Sequence, residues 1–513
     1  MATLSSIKKF ISTLKASVDS DDAGAEPLRK AFAALLAVGT GSNTTLRCAG
    51  GWVRDKLLGR ESSDIDIALD NVMGKDFAER LQEHLAGSGE PTSRVHVIQT
   101  NPDQSKHLET ASMKVGALEL DFVNLRSETY ASDSRIPEMQ FGTPKEDALR
   151  RDFTINSLFY NLNSGEVEDF CGSGLEDLRN GLIRTPLPPV QTFLDDPLRI
   201  LRGVRFASRY GFELDGALVE ACWDARVKEA LAQKVSRERV GIEVKKMLDG
   251  PDPLNALFQL DVLQVVDVVF RAPAEVQAKL PKDYPAKCLG VAAEAKRVAD
   301  ALGLDLSAHE RRALLLASFL LPFRGVTYVG KKKKLFPATD HIIMASLSFG
   351  KKEQADVLLL HERAADLRAA CGRLDGPDAR AALGMQIRGL KGLWKLALVL
   401  TTVLDLQEVA AVRQCLGKEE EGGPGAGGAG GGTEQRVLAC RQAVDAAEAF
   451  KVDRAWEIKP LMDGKKVMAA LGVQKGGPWL GEYTKKLMVW QLGNPDADAE
   501  ACAAWLKEMH SRQ

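Results

Sequence analysis

Between Thr44 and Arg184 apolar and polar residues alternate in several short runs: LRCAG, DIDIALD, SRVHVIQ, ALELDFVNL and SLFYNL. A period of two predicts half-buried strands, and the intervening stretches carry helical spacing, so this part reads as mixed α/β. From Asp195 the period changes. PLRILRGVRFASRYGF, SRERVGIEVKKMLDG, ERRALLLASFLL and LWKLALVLTTVLDL place apolar residues three and four apart, which predicts helix almost without interruption. Proline-rich TPLPPVQTFLDDP, residues 185–197, marks the junction, because proline stops helices and stiffens connections. A second break is the run EEEGGPGAGGAGGG at 419–432, whose apolar surface is too small to offset its ordering entropy and which is expected to be a flexible insertion. Beyond it Trp456, Trp479, Trp490 and Trp505 predict a final folded unit.

Composition narrows the class without deciding it. At 513 residues, 45% hydrophobic and 27% charged, the chain is sized for several structural units of an ordinary soluble protein. A net charge of -2 excludes a globally basic nucleic-acid-coating protein and leaves room for local phosphate-binding patches. Eight scattered cysteines without a CxxC pair argue for a reducing compartment and against a zinc ribbon. No apolar run reaches the length of a membrane-spanning helix. MATLSSIKKFISTLKASV has an amphipathic spacing but no arginine, which favours a first helix packed on the fold over a targeting segment.

The chemistry concentrates in CAGGWVRDKLLGRESSDIDIALD, Cys48 to Asp70. On a strand, Asp64 and Asp66 share one side while Ile65 and Ile67 face the core. Two adjacent carboxylates repel one another unless a cation bridges them, and carboxylates with water suit Mg²⁺. Gly50 and Gly51 precede a helical stretch, so their backbone can approach a phosphate, and Arg54 adds a cation on the first turn. A third acid is expected from ALELDFVNL, where Glu119 and Asp121 have the same parity and parity cannot separate them. Competing motifs are weaker. GVTYVGKK at 325–332 lacks the hydroxyl residue of a phosphate loop and reads as a basic loop. His309-Glu310 and His361-Glu362 begin an HExxH pattern, but Ala313 and Ala365 stand at the second histidine position, so both read as helix surface rather than zinc sites. No His-Asp dipeptide occurs, so no phosphohydrolase domain of that type is expected.

GGWVRDKLLGRESSDID resembles the head motif of class II tRNA nucleotidyltransferases, the CCA-adding enzymes and their bacterial poly(A) polymerase relatives. DALRRDFTINSLFYNL at 147–162, DFCGSGLEDLRNGLIRT at 169–185, DDPLRILRGVRFASRYGF at 195–212 and SRERVGIEVKKML at 236–248 match further family motifs in the family's order. VNLRSETY, FGTPKEDALRRD, KPLMDGKKVMAALGV, GPWLGEY and VWQLGNP look like the eukaryotic branch, from which the glycine insertion and Lys331 to Lys334 are the main departures.

The resemblance implies an α+β fold: a polymerase-beta-like nucleotidyltransferase head with a mixed sheet, followed by an all-helical neck, body and tail. The expected division is an N-terminal helical extension at 1–43, head 44–184, neck 185–250, body 251–418, the insertion 419–432 and a tRNA-binding tail 433–513. It implies that Asp64, Asp66 and Asp121 hold Mg²⁺, with Asp121 now preferred over Glu119, and that Arg151 and Asp152 recognise ribose. Nucleotide binding is carried over to Gly50, Gly51, Arg54, Asn156, Asp196, Arg199, Arg202 and Arg205. Asp196 and Arg199, three apart, are expected on one helix, presenting an acceptor and a donor fork to the edge shared by cytosine and adenine. Arg202 and Arg205 continue that stripe, and Glu238, Arg239 and Glu243 are expected to brace it.

The implied activity is template-independent addition of CCA to tRNA from CTP and ATP. The alternatives are a poly(A), A-only or CC-only polymerase with the same head, or a catalytically silent tRNA-binding protein. Lys331 to Lys334, Lys351, Lys352, Lys465 and Lys466 are candidate phosphate contacts. The expected location is cytoplasmic, with nuclear or organellar pools.

Overall fold

The computed structural model describes residues 26–98, 110–129, 138–418 and 432–512. Residues 1–25, the glycine run at 419–431 and most of the SDSRIPEM segment lie outside them. The chain divides into two compact units, Met1–Val268 and Val269–Gln513.

The first unit is built on a seven-stranded sheet. Its strands are β1 (Leu46–Ala49), β2 (Asp64–Leu69), β3 (His96–Ile98), β4 (Thr110–Val115) and β5 (Leu118–Asn124), then, after a separate pair β6 (Arg126–Thr129) and β7 (Glu138–Phe141), β8 (Leu158–Asn161) and β9 (Glu166–Asp169). Their order across the sheet is β3-β4-β5-β2-β1-β8-β9. β2 and β5 run parallel in the middle and the other neighbours are antiparallel.

The alternation along β2 is as expected: Ile65 and Ile67 are fully buried, while Asp64 is exposed and Asp66 half-buried. In β5, Leu120 and Phe122 fill the core and Glu119 and Asp121 lie on the other face. Helices α1 (Glu26–Ser42), α2 (Gly51–Leu57) and α3 (Gly74–Gly87) cover the apolar face, with Phe32 edge-on to Trp52 and Phe77 tilted against Phe122. These rings and their aliphatic neighbours form a core whose burial supplies most of the folding drive.

After α4 (Pro144–Leu149) and α5 (Gly174–Asn180) come α6 (Pro189–Asp195) and α7 (Leu198–Tyr210), followed by α8 (Gly216–Trp223), α9 (Ala225–Lys234) and α10 (Arg237–Leu248). Leu198, Ile200, Leu201, Val204 and Phe206 of α7 are buried, and Phe206 meets Phe153 edge-to-face. Asp196 departs from expectation. It ends α6 in an extended conformation two residues before α7 begins, so it does not share a helix with Arg199. Pro197 explains this, since proline disfavours helical geometry in the residue before it.

The second unit is helical, with long helices at Tyr284–Ala301, Lys351–Cys371 and Thr433–Ala449. GVTYVGKK is a hairpin rather than a loop: Thr327–Val329 pairs with Leu335–Pro337, and Lys332 and Lys333 turn the corner at positive φ. His361 is not helix surface. It is buried, its Nε2 lies 2.7 Å from the Ala317 carbonyl, and burial lowers its pKa to about 4. His309 is half-buried and paired with Asp356 at 2.7 Å, while Glu310 closes a capping box with Ser307. At the C-terminal end Trp479, Trp490 and Trp505 gather around Tyr483, Leu487 and Leu506, with Trp490 and Trp505 stacked at 5.4 Å. Lys332 to Lys334, Lys351, Lys352, Lys465 and Lys466 are exposed. Among the described residues no helix is long and apolar enough to cross a membrane.

Candidate active site

The parallel pairing of β2 with β5 separates the two candidate third acids. Asp66 stands opposite Asp121 and Asp64 opposite Glu119, so Asp121 is the neighbour of the more buried aspartate. Burial, together with Asp64, Asp121 and Asp147 and against the pull of Arg151, raises the Asp66 carboxyl to about 6. Burial and the charges of Asp64 and Glu119 push Asp121 up as well. Among the described residues no three acids, histidines or cysteines are already gathered into a cage for an ion. The donor set nevertheless fits Mg²⁺, which keeps several waters and borrows phosphate oxygens instead of demanding an all-protein cage. A divalent cation would also relieve the crowding of charge that raises Asp66.

Asp64 and Asp66 open onto a cleft of about 620 Å³. Nine arginines and five aspartates line it, including Arg54, Arg151, Asp152, Asp196, Arg199, Arg202 and Arg205. Gly51 and Asn156 line it too, as does Arg239 from α10. Asp121 and Gly50 are not in its wall. An excess of guanidinium over carboxylate makes this a site for a polyanion.

Gly50 does something other than offer its N–H to a phosphate. That N–H donates to the Leu158 carbonyl at 2.9 Å. The residue has φ 67 and ψ -118, and a Cβ there would stand 2.5 Å from Nη1 of Arg151. It is glycine because the backbone turns sharply against an arginine. Gly51, by contrast, meets only Arg54 Nη2, at 3.6 Å.

The polar side chains form one connected set. Arg54, 5% exposed, donates from Nε to Asp55 at 2.9 Å and from Nη1 to the Asn156 carbonyl oxygen Oδ1. Its guanidinium lies over Phe206 and Tyr210, and the Tyr210 hydroxyl donates to Asp55 at 2.9 Å. Asn156 turns its Nδ2 to Asp152 Oδ1 at 2.8 Å. The other Asp152 oxygen accepts from Arg202 Nε and Nη2 at 2.7 and 2.6 Å. Despite burial, Arg202 and the Asn156 amide hold Asp152 down at about 2. Arg205 is paired with Glu243 of α10 at 2.6 Å, so the bracing role of Glu243 falls on that arginine. Arg202 and Arg205 therefore meet the cleft already tied to acids. Arg199 is buried and donates from Nη2 to the Arg150 carbonyl at 2.7 Å.

One residue of this set escaped the sequence reading. Asp147, 2% exposed, accepts from both Arg150 and Arg151. The signal was the D-x-x-R-R spacing within DALRRD, which places an acid three and four residues before two arginines on a helix.

A model of the Poly A polymerase head domain matches residues 46–184. The mitochondrial CCA tRNA nucleotidyltransferase of Candida glabrata is 34% identical over 518 residues, covering 91% of this chain and 90% of its own. That of Saccharomyces cerevisiae is 34% identical over 501 residues, covering 90% and 88%. The structure of a Thermotoga maritima CCA-adding enzyme complexed with tRNA aligns with a TM-score of 0.57 at 19% identity, covering 98% of both chains, a likeness of fold. Arginine-walled cleft, paired strand acids and full-length similarity converge: the chain belongs to the CCA tRNA nucleotidyltransferase family.

Proposed function

We propose that the protein builds and repairs the 3′-terminal CCA of tRNA from CTP and ATP without a nucleic-acid template, releasing pyrophosphate. The observation that carries this reading is the cleft itself, where strand acids suited to Mg²⁺ and a pair suited to a base edge line one cavity. Full-length similarity to two enzymes named for CCA addition supports it.

In this reading Asp64, Asp66 and Asp121 would hold Mg²⁺, which when bound would supply activation of the tRNA 3′-hydroxyl and neutralisation of charge on the departing pyrophosphate. The arginines of the wall hold the triphosphate in line. Arg151 and Asp152 set the ribose side of the site, with Asn156 fixing the Asp152 carboxylate. Asp196 accepts from the exocyclic amine shared by cytosine and adenine, and Arg199 donates to the adjacent ring nitrogen. Uracil and guanine would turn an oxygen toward Asp196, leaving a buried charge opposed by a lone pair, and are refused for that reason. The separation of Asp196 from α7 leaves this reading intact, because both side chains still line the same cavity.

In this division head and neck lie in the first compact unit and the tail in the second, while the body, 251–418, begins before the boundary after Val268. The tail and body grip tRNA through phosphates and shape in this reading, and the exposed lysines at 332–334, 351, 352, 465 and 466 are suited to that. The two relatives are mitochondrial enzymes by name. Eight free cysteines suit a reducing compartment, which supports a cytoplasmic location with nuclear or organellar pools. The test is to incubate the protein with tRNA transcripts ending at the discriminator base, at C or at CC, supplying each labelled nucleotide separately. Ordered addition of C, C and A is expected. A-only or C-only incorporation, an untemplated run of A, or no incorporation would each overturn the reading.

A further inference from the structure

Asp147 sits in α4, whose start is fixed by a capping box between Thr143 and Glu146. Its carboxylate is 2% exposed and carries an unusual load. Oδ1 accepts from Arg150 Nε at 2.9 Å and Nη2 at 2.5 Å, and from the Arg126 backbone N–H at 3.3 Å. Oδ2 accepts from Arg151 Nε at 3.0 Å and Nη2 at 2.9 Å. Five donors on one carboxylate hold two adjacent guanidiniums side by side, where their own repulsion would otherwise drive them apart.

Both arginines lead into the cleft. Arg150 and Arg151 line it, whereas Asp147 does not. Arg151 also donates from Nη1 to the Asn156 backbone carbonyl at 3.2 Å, and it is the cation that opposes the rise of the Asp66 carboxyl. The Arg150 carbonyl receives Nη2 of Arg199. One carboxylate thus reaches the strand acids through Arg151 and the base-reading side of the cleft through the Arg150 backbone.

We propose that Asp147 is a positioning residue that fixes Arg151 beside the strand acids and, through the Arg150 carbonyl, Arg199 beside the incoming base. It does not touch substrate. The inference rests on the CCA-addition reading, and its consequence is that nucleotide affinity and base choice share one anchor. An ion pair serving stability alone would leave both untouched in the folded molecule.

Asp147→Asn keeps the shape but puts an amide donor against one guanidinium, so one arginine loses its partner. Misplacement of a charged group in a pre-organised site costs roughly tenfold to a hundredfold. In the folded variant the KM for CTP, on tRNA ending at the discriminator base, and for ATP, on tRNA ending in CC, should each rise about tenfold. The preference for CTP over UTP should fall, while tRNA affinity by filter binding stays at the wild-type value. Asp147→Glu keeps the charge one methylene out of place and should raise both KM values about threefold, between the wild type and Asn. A folded Asp147→Asn with wild-type KM values and wild-type rejection of UTP overturns the proposal, as does a loss confined to kcat. If circular dichroism shows that Asp147→Asn does not fold, Asp147→Glu decides, and wild-type KM values in it overturn the proposal. A wild-type protein that adds no CCA refutes the functional reading instead, so the two failures are distinguishable.

Discussion

Replacing each of the two adjacent glycines by alanine separates a glycine that shapes the backbone from one that leaves space. At Gly50 an L side chain must adopt φ 67, ψ -118, a region that costs about 1–3 kcal/mol outside glycine. Its Cβ would also stand 2.5 Å from Arg151 Nη1. That guanidinium cannot swing aside freely, since Asp147 holds its other nitrogens and Nη1 itself donates to the Asn156 carbonyl. Losing the latter bond adds about 1.5–3 kcal/mol, the worth of a hydrogen bond from a charged donor. Gly50→Ala should therefore destabilise the first unit by about 2.5–6 kcal/mol, the sum of the two, with a fall of about 2–4 °C in melting temperature per kcal/mol in a unit of this size. Gly51→Ala has no positive φ to oppose and should be neutral or slightly stabilising, as alanine is in a helix. Paired urea titrations, followed by single-turnover incorporation of C below the transition, give both readouts. Equal stability of the two variants would refute the account of Gly50. If Gly51→Ala instead lost nucleotide binding at unchanged stability, Gly51 would be the one that meets the phosphate.

Asp66→Ala should abolish both C and A addition while tRNA binding is nearly retained, because a lost metal ligand is felt in the transition state more than in phosphate contacts; turnover above a tenth of wild type would sink the metal assignment. Asp196→Ala and Arg199→Ala should each weaken CTP and ATP use together, and a paired replacement with altered donor and acceptor pattern should admit UTP or GTP. Incorporation of all four nucleotides measures this, and unchanged preference in both single variants would reduce the pair to a brace. His361 gives a pH dependence. Its folded pKa of about 4 lies below the ordinary 6.5 because of burial and of Arg324 and Arg413. The unfolded chain therefore takes up the proton first as pH falls, and stability present above pH 6.5 is lost toward pH 4, amounting to about 2 kcal/mol by pH 5. Urea unfolding at pH 7.5 and 5 should show that loss in the wild type and a smaller one in His361→Gln; parallel curves would contradict it.

The strand acids were legible because a period of two is a local property: DIDIAL states by itself which residues face the core. Parity left Asp121 and Glu119 equal and only the family resemblance preferred Asp121; a physical reason requires knowing which strand lies beside β2 and in which direction, and pairing over so long a separation leaves no trace in either segment. The helical phase of Asp196 failed where a local rule was overlooked, since Pro197 forces the residue before it out of the helix. Asp147 was overlooked for a different reason. Its spacing to Arg150 and Arg151 was visible, but an acid before two arginines looks like a solvated helix face until burial is known. His361 shows the same limit, being flanked by Glu362 and Arg363 yet turned inward against Ala317. Gly50 and Gly51 looked equivalent in sequence, and the positive φ of Gly50 and the position of Arg151 against it separate them.

Every residue that lines the arginine-walled cleft lies between positions 51 and 239, inside the unit that ends at Val268. Inheritance can therefore act on the two units by different rules. A substitution in the second unit alters no wall residue, so that unit can drift in sequence without exchanging a group that faces the cavity. For an engineer the same partition means that the cavity wall can be rebuilt within 189 consecutive positions while the second unit is left as it is.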